Sequence, residues 1–221
     1  MVERYKIGAF PEQVPAAKLE RLRQVEPATV GHWRHWGFVS GAVARLRRGP
    51  PVVGTAVTLA IPGEDSTLLH HLIAGVRPGD FVIIDRLGDH RYACWGGGVT
   101  VAAKTAGVVG AAVDGPCTDI GEIEELDFHV WCRGLSPVTT RLRDLGGAMN
   151  VPVSCGGAVV QPGDAVIADD NGLLVIPPDE LDAVIEAALE RQSRGAARDA
   201  KIRAGARLGE LSGASAMVAR Q

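Results

Sequence analysis

Apolar and polar positions along this chain follow two periods, one of two residues and one near 3.6, and the elements can be placed from them. Pro50-Pro51 opens the run Val52-Val53-Gly54-Thr55-Ala56-Val57-Thr58-Leu59-Ala60. Its valines, threonines and alternation predict a β-strand, closed by Pro62-Gly63. Asp65 or Ser66 then caps a helix from Thr67 to about Gly75, with Leu68, Leu69, Leu72 and Ile73 apolar. His70 and His71 lie on that helix and face different ways, so they make no ready metal pair. Upstream, Pro11 to Val25 has helical spacing, with Val14, Ala17, Leu22 and Val25 on one broad face. Pro27 breaks that helix. Thr29 caps a second one through His32-Trp33-Arg34-His35-Trp36 to Gly37, with the tryptophans packed on a neighbour.

Two segments echo each other. Pro78-Gly79-Asp80 feeds Phe81-Val82-Ile83-Ile84-Asp85, and Pro162-Gly163-Asp164 feeds Ala165-Val166-Ile167-Ala168-Asp169. Each is a turn leading into a buried strand, with Pro fixing the first turn position and Gly supplying positive φ. Their flanks do not repeat at a constant period, so they are read as strands meeting on related sheets, not as a tandem repeat. Phe128 to Cys132 is a further strand, and Thr139 to Asn150 reads as a loop or excursion. Short runs at Val151 to Val153, Ala158 to Val160, Ala165 to Ala168 and Gly172 to Ile176 are closely spaced strands, which favours antiparallel or mixed packing. Pro177-Pro178 starts the last helix, Asp179 to about Ala204, long enough to reach a neighbouring subunit. No linker stands out. The expectation is one α/β domain over residues 1–221, with N-terminal helices at about 11–37, a strand-rich second half and the long helix at about 179–204.

Composition changes this picture little. Apolar residues make up 46% of the 221 positions and charged ones 22%, an ordinary globular balance. A formal net charge of -3 gives no global case for nucleic acid or a membrane surface as partner. Arg45, Arg47 and Arg48 form a short basic run, read as solvated surface. No stretch approaches about 18 uninterrupted apolar residues, so no spanning helix is expected. The charged start, Met1-Val2-Glu3-Arg4-Tyr5-Lys6, lacks the apolar core of a secretion signal, and a cytoplasmic protein is the expectation. Cys94, Cys117, Cys132 and Cys155 include no C-x-x-C pair, which argues against a zinc cage and for buried thiols. Cys117 alone lies inside the candidate site described next.

The chemistry concentrates between Trp95 and Glu122. Gly96-Gly97-Gly98 leaves backbone amides open and permits close approach. The small apolar residues of Val99 to Ala106 suit a buried helix starting there, and its N-terminus is an anion site. Val108 to Val113 reads as a buried strand ending at Asp114-Gly115, with Asp119 and Glu122 close behind. One unit thus offers amides of Gly96, Gly97, Gly98 and Val99 to a carboxylate or phosphate, and two acids to a cation. Asp119 followed by Glu122 also has the form of a helix capping box, and the two roles can coexist. Asp85, just before the glycine loop, is placed on the same cleft.

These residues in this order resemble the family of the regulator of ribonuclease E activity A and the 4-hydroxy-4-methyl-2-oxoglutarate/4-carboxy-4-hydroxy-2-oxoadipate aldolases, which includes demethylmenaquinone methyltransferase-like proteins. The carriers are Pro78 to Asp85, Trp95-Gly96-Gly97, Gly107 to Gly115, Asn150 to Val153, Gly156-Gly157 and Pro162 to Gly172. The resemblance implies an α/β layered sheet-and-helix sandwich, assembly as a homotrimer or homohexamer, and sites near subunit interfaces. It also implies a divalent metal, Mg or Mn, held through Asp119 with Glu122 in support, and loop amides gripping a small carboxylate substrate. The family signature Arg-Asp-x-x-Glu/Asp falls on Thr118-Asp119-Ile120-Gly121-Glu122, so Thr118 stands at the place of the substrate-binding Arg. In many members an acid follows the first glycine of the loop; here that place is Gly97. A missing electrostatic stabiliser of this kind typically costs about 100-fold or more. Arg86, Arg91, Arg133 and Arg141 are the candidates to replace it, and Glu190 and Asp199 the candidates for an acid donated by a neighbouring subunit.

The function expected is therefore a metal-dependent lyase of aldolase or decarboxylase type acting on a small oxo or hydroxy acid, with Asp119 and Thr118 in the catalytic positions. The alternatives are a hydrolase or isomerase using the same metal site, or a non-catalytic regulator that binds a protein partner.

Overall fold

The computed structural model describes residues 3–220. Strand β1 (Tyr5–Ile7) precedes two short helices, α1 (Ala16–Leu22) and α2 (Pro27–Val30), then β2 (Ala44–Arg45) and the long β3 (Val52–Ala60). Three helix–strand units follow: α3 (Thr67–Ile73) and β4 (Asp80–Asp85), α4 (Gly97–Thr105) and β5 (Gly110–Val113), α5 (Ile120–Glu125) and β6 (Val130–Cys132). The second half carries β7 (Gly147–Met149), β8 (Val153–Cys155), β9 (Ala158–Val160), β10 (Ala165–Ala168) and β11 (Leu173–Ile176). Helices α6 (Leu181–Arg203), α7 (Leu208–Leu211) and α8 (Ala214–Val218) close the chain.

Strands β3, β4, β5 and β6 are neighbours in one direction and all parallel. Successive right-handed crossovers in one direction place their connecting helices on one face, and α3 packs on α4 as α4 does on α5. The two-residue period then sorts side chains between layers. Val57, Leu59, Val82, Ile84, Ala111 and Val113 meet Leu68, Leu69, Leu72, Ala103 and Ile123 of the helices. Their alternates, including Ala56, Phe81, Ile83, Ala112 and Trp131, meet Val153, Cys155 and Val160 of the β8–β9 hairpin on the other face. A third cluster joins β10 and β11 to α1, α2 and α6.

The two echoing segments flank the same strand. Strand β4 pairs parallel with β3 on one edge, and β10 pairs antiparallel with its first half on the other, so Thr55 has both Asp80 and Ala165 as partners. Their turns share one geometry: the aspartate at the strand entrance accepts the amide three residues back, Arg77 to Asp80 and Gln161 to Asp164, both at 2.8 Å. Gly79 and Gly163 take φ of 90° and 95°, which a side chain would oppose.

Three expectations are corrected. Pro27 lies beyond the end of the first helix, as expected, but itself starts α2, because proline suits the first helical turn, so Thr29 lies inside that helix instead of capping it. That helix ends at Val30, so the tryptophans of His32 to Trp36 are not packed on a helix face; Trp36 is 60% exposed and lies under the Arg34 guanidinium. Arg45 is buried rather than solvated, paired with Asp170 and stacked on Trp131 at 4.8 Å. Helix α4 buries only Gly97, Thr100 and Ala103 and leaves Val101 open.

Residues 134–145 are the element the pattern shows least. They run extended across the C-terminal ends of the parallel strands. Amide–carbonyl bonds tie Cys117 to Gly134, Ala93 to Val138, Thr140 to Ala93 and Arg141 to Glu64, at 2.8–3.1 Å. Asp65 anchors the far end. Its buried carboxylate accepts the amides of Arg143 and Leu145, and the amide and hydroxyl of Thr67 at the start of α3.

Burial alone would raise the Asp65 pKa, but these hydrogen bonds outweigh it and hold the carboxyl at about 2, against 3.8 for the free group. The folded value lies below the unfolded one. Its contribution of roughly 2 kcal/mol is therefore present above about pH 4 and disappears as pH falls toward 2. Asp65→Ala should lower stability by roughly 2–4 kcal/mol, since several donors lose their acceptor. In thermal melts from about pH 5 to pH 2, Asp65→Asn should lose less stability than wild type over that range. Parallel pH profiles for the two proteins would show that the carboxylate does not anchor this segment.

Candidate active site

A cavity of about 410 Å³ opens at the C-terminal ends of the parallel strands, the edge where open α/β sheets bind ligands. The start of α4 forms one side through Gly96, Gly98, Val99 and Ala102, joined by Thr118 and Asp119. Ser66 and His70 come from the start of α3, and Thr139, Thr140, Arg141 and Leu142 from the segment crossing the sheet edge. The glycine loop is rigidly held. Trp95, fully buried, stacks on Phe128 with ring centres 6.0 Å apart, and its Nε1 donates to Thr100 Oγ1 at 2.9 Å. That hydroxyl donates in turn to the Gly96 carbonyl at 2.8 Å. Truncating such a fully buried tryptophan typically costs 3–5 kcal/mol.

Asp119 sits at the cap position of α5 but does not cap it. Its φ of 55° is left-handed, and its carboxylate bonds none of the helix amides. Instead Oδ2 accepts the Gly97 amide at 3.0 Å, and Oδ1 accepts the Thr118 hydroxyl at 3.1 Å. The capping-box form is thus realised as a bridge to the glycine loop. A Cβ at residue 96 would come within 2.5 Å of Asp119 Oδ2, and one at residue 97 would overlap Glu122 Oε2. The glycines are there because two carboxylates occupy the space their side chains would take.

Asp119, Thr118, Gly96, Gly98 and Val99 of the expected residues therefore share the cavity wall. Gly97 and Glu122 stand behind the loop and do not line it. The Gly97 amide is already engaged by Asp119, leaving the first-turn amides of Gly98 and Val99 without an acceptor in the helix. Among the candidate arginines, Arg133 pairs with Asp114 and Arg91 lies over the Tyr92 ring, 5.5 Å from its centre. Arg86 is fully buried, donating to the Gly63 carbonyl, with Nε and Nη1 unpartnered. Arg141 alone of the four lines the cavity.

Asp85 is displaced from its expected role: it accepts the amides of Leu87 and Ser154, and so ties the end of β4 to β8. Burial pushes the Cys117 thiol well up and the Cys94 thiol to about 11, so neither is a ready nucleophile near neutral pH. His70 faces the cavity while His71 faces a separate surface pocket, as adjacent helical residues must. His70, Ser66, Thr139 and Thr140 carry no signal in the sequence that assigns them to the site.

Asp119 is the carboxylate in the cavity wall, with Glu122 behind the loop, and carboxylate oxygens match the preference of Mg²⁺ or Mn²⁺. Mg²⁺ commonly takes one or two carboxylates and keeps several waters. No group of three or more His, Cys, Asp and Glu side chains converges on one point among the described residues. The residues present thus fit a water-rich Mg²⁺ or Mn²⁺ site and not a cage.

No helix among the described residues is long and apolar enough to cross a membrane. A family model described as RraA-like, Aldolase/RraA, matches residues 32–175. A Halalkalibacterium halodurans protein provisionally named 4-hydroxy-4-methyl-2-oxoglutarate aldolase is 33% identical over 164 residues, 74% of this chain and 78% of its own. Streptomyces coelicolor RraAS2, described as an unusual member of the RNase ES inhibitor RraA protein family, superposes with a TM-score of 0.75 at 27% identity, covering 86% of this chain and 98% of that one. A Pseudomonas syringae protein of 21% identity shares the fold at a TM-score of 0.77, over 92% of this chain and 95% of its own. The layered α/β architecture expected from the resemblance is the architecture found, and with the family model matching well over half of it, the chain belongs to the RraA-like family, the Aldolase/RraA group.

Proposed function

We propose that the protein is a divalent-metal-dependent carbon–carbon lyase acting on small oxo or hydroxy carboxylic acids. The observation that carries this reading is the Asp119 carboxylate, turned away from its own helix and fixed on the glycine loop beside the free amides of Gly98 and Val99. The provisional aldolase name of the Halalkalibacterium relative supports it.

In this reading Asp119 holds Mg²⁺ or Mn²⁺, with Glu122 in support behind the loop. A bound metal would supply Lewis-acid stabilisation of the negative charge that develops on the 2-oxo group as the C–C bond breaks. The amides of Gly98 and Val99 take the substrate carboxylate, aided by the positive end of α4. Thr118 fixes the Asp119 carboxylate through its hydroxyl. His70, on α3, brings an imidazole to the same wall. Leu135, Leu142 and Leu145, each more than half exposed on the segment beside the cavity, support assembly as a homotrimer or homohexamer. One observation favours a second reading. Position 118 holds an uncharged threonine whose hydroxyl is already engaged by Asp119, and the same metal site could serve a different reaction on a less charged substrate.

Pyruvate release from 4-hydroxy-4-methyl-2-oxoglutarate and from oxaloacetate tests the reading. Release should require Mg²⁺ or Mn²⁺, stop on chelation, and fall about 100-fold or more in Asp119→Ala. Glu122→Gln should weaken apparent metal affinity about 10-fold, as outer-shell partners typically do. Metal binding that needs Asp119, with no pyruvate from either acid, would favour the second reading. Light scattering should give three or six times the monomer mass; a monomer would remove the assembly from the proposal.

A further inference from the structure

We propose that Arg141 is the substrate-carboxylate-binding arginine of this site, supplying from the segment across the sheet edge the cation that position 118 lacks. The inference rests on reading the cavity as a carboxylate site. It adds the residue that gives the site its positive charge.

The arginines of the neighbourhood are separated by what already holds them. Arg133 is committed to Asp114, Arg91 lies over Tyr92, and Arg86 is enclosed against backbone carbonyls. The guanidinium of Arg141 makes no ion pair or hydrogen bond among the described residues, yet the residue forms part of the cavity wall. The acids beside it in the chain are engaged elsewhere. Glu64 faces Arg143 at 3.5 Å, and both Asp65 oxygens accept backbone amides. Across the cavity, the carboxylate in the wall is that of Asp119, which a metal ion would neutralise. A cavity wall that carries both an arginine without a partner among the described residues and the first-turn amides of a helix is an arrangement for an anion. Arg's planar fork matches a carboxylate in a way that Lys, or the Thr at 118, does not.

The backbone of Arg141 is also pre-positioned. Its amide donates to the Glu64 carbonyl at 2.8 Å, and its carbonyl accepts the Ser66 amide at 2.9 Å. The turn that follows is clamped by Asp65. The side chain therefore starts from a fixed backbone point beside the entrance of α3.

Calorimetry with oxalate and pyruvate as probes, with and without Mg²⁺, tests this on wild type, Arg141→Gln, Arg141→Lys and Arg143→Gln. Arg143 is the control, two residues on and facing Glu64. Arg141→Gln should weaken binding about 10-fold or more, Arg141→Lys should recover part of the loss, and Arg143→Gln should bind as wild type does. Where turnover is measurable, the change should appear mainly in KM, with kcat altered less. Equal affinity of wild type and a folded Arg141→Gln would overturn the inference, as would no binding of either probe to wild type. Arg141-dependent binding with no C–C cleavage would remove the lyase reading and leave this inference standing. Cleavage with a KM indifferent to Arg141 would do the reverse.

Discussion

The Gly97 amide donates to Asp119 Oδ2 at 3.0 Å, joining the start of α4 to the start of α5 across the end of β5. Both sides of this bond are constrained. On one side, Trp95 and Thr100 fix the carbonyl of Gly96, so the loop cannot swing to meet a moving carboxylate. On the other, Asp119 occupies a left-handed conformation that aspartate tolerates better than most residues, and that conformation turns its side chain from α5 to the loop. The close approach works only with glycine at 96 and 97. Any side chain there would meet one of the two carboxylates. The cavity wall, its free amides and its candidate metal ligand all follow from this junction.

The sheet explains where the junction can form. Parallel strands β4, β5 and β6 end at Asp85, Val113 and Cys132, and their loops must all turn back at the same edge. Left alone, that edge would expose backbone groups with no partner. The segment 134–145 satisfies them in passing, pairing in turn with the loops after β5, β4 and β3. It thereby places Thr139, Thr140 and Arg141 opposite the glycine loop. The same stretch of backbone closes the sheet edge and builds half of the cavity.

The parts of the molecule legible in the sequence are those where local chemistry and tertiary position agree. The Pro-Gly-Asp turns, the strand Val52–Ala60 and the helix after the glycines carry their own signals, and all form where the pattern puts them. The β-branched period of β3 needs no neighbour to be read. Where packing decided, the pattern was silent or misleading. Arg45 sits in a charged run, but the ring of Trp131 and the carboxylate of Asp170 draw it inside. Asp119 and Glu122 have capping-box spacing, and only the approach of the glycine loop converts the pair into a bridge. Residues 134–145 have neither period, because their bonds run to three separate loops and their side chains obey no single face. Arg141 could be named as one of four arginines but not chosen. The choice depended on which guanidinium the fold leaves unpaired at the cavity.

The departures from the family signature are coupled in charge and in space. An acid at position 97 and an arginine at 118 are absent together, so replacing both leaves the summed charge of the two positions unchanged. The space tells the same story. Glu122 Oε2 lies where the Cβ of residue 97 would be, so an acidic side chain from the loop and this placement of Glu122 exclude each other. Glu122 is itself a signature position, so the loop acid is absent here without a new acid taking its place. With Thr at 118 the positive charge is gone from its signature position, and Arg141 is a cation of the wall with no ion pair among the described residues. A site that merely lost its arginine would be left with excess negative charge and a weakened hold on any carboxylate. A site that lacks both the loop acid and the signature arginine, and carries a cation on another segment, keeps its balance of charge while changing the direction from which a carboxylate is held. That difference bears on which acids fit, since Arg141 stands on the segment bonded to the entrance of α3 and not next to Asp119 in the chain.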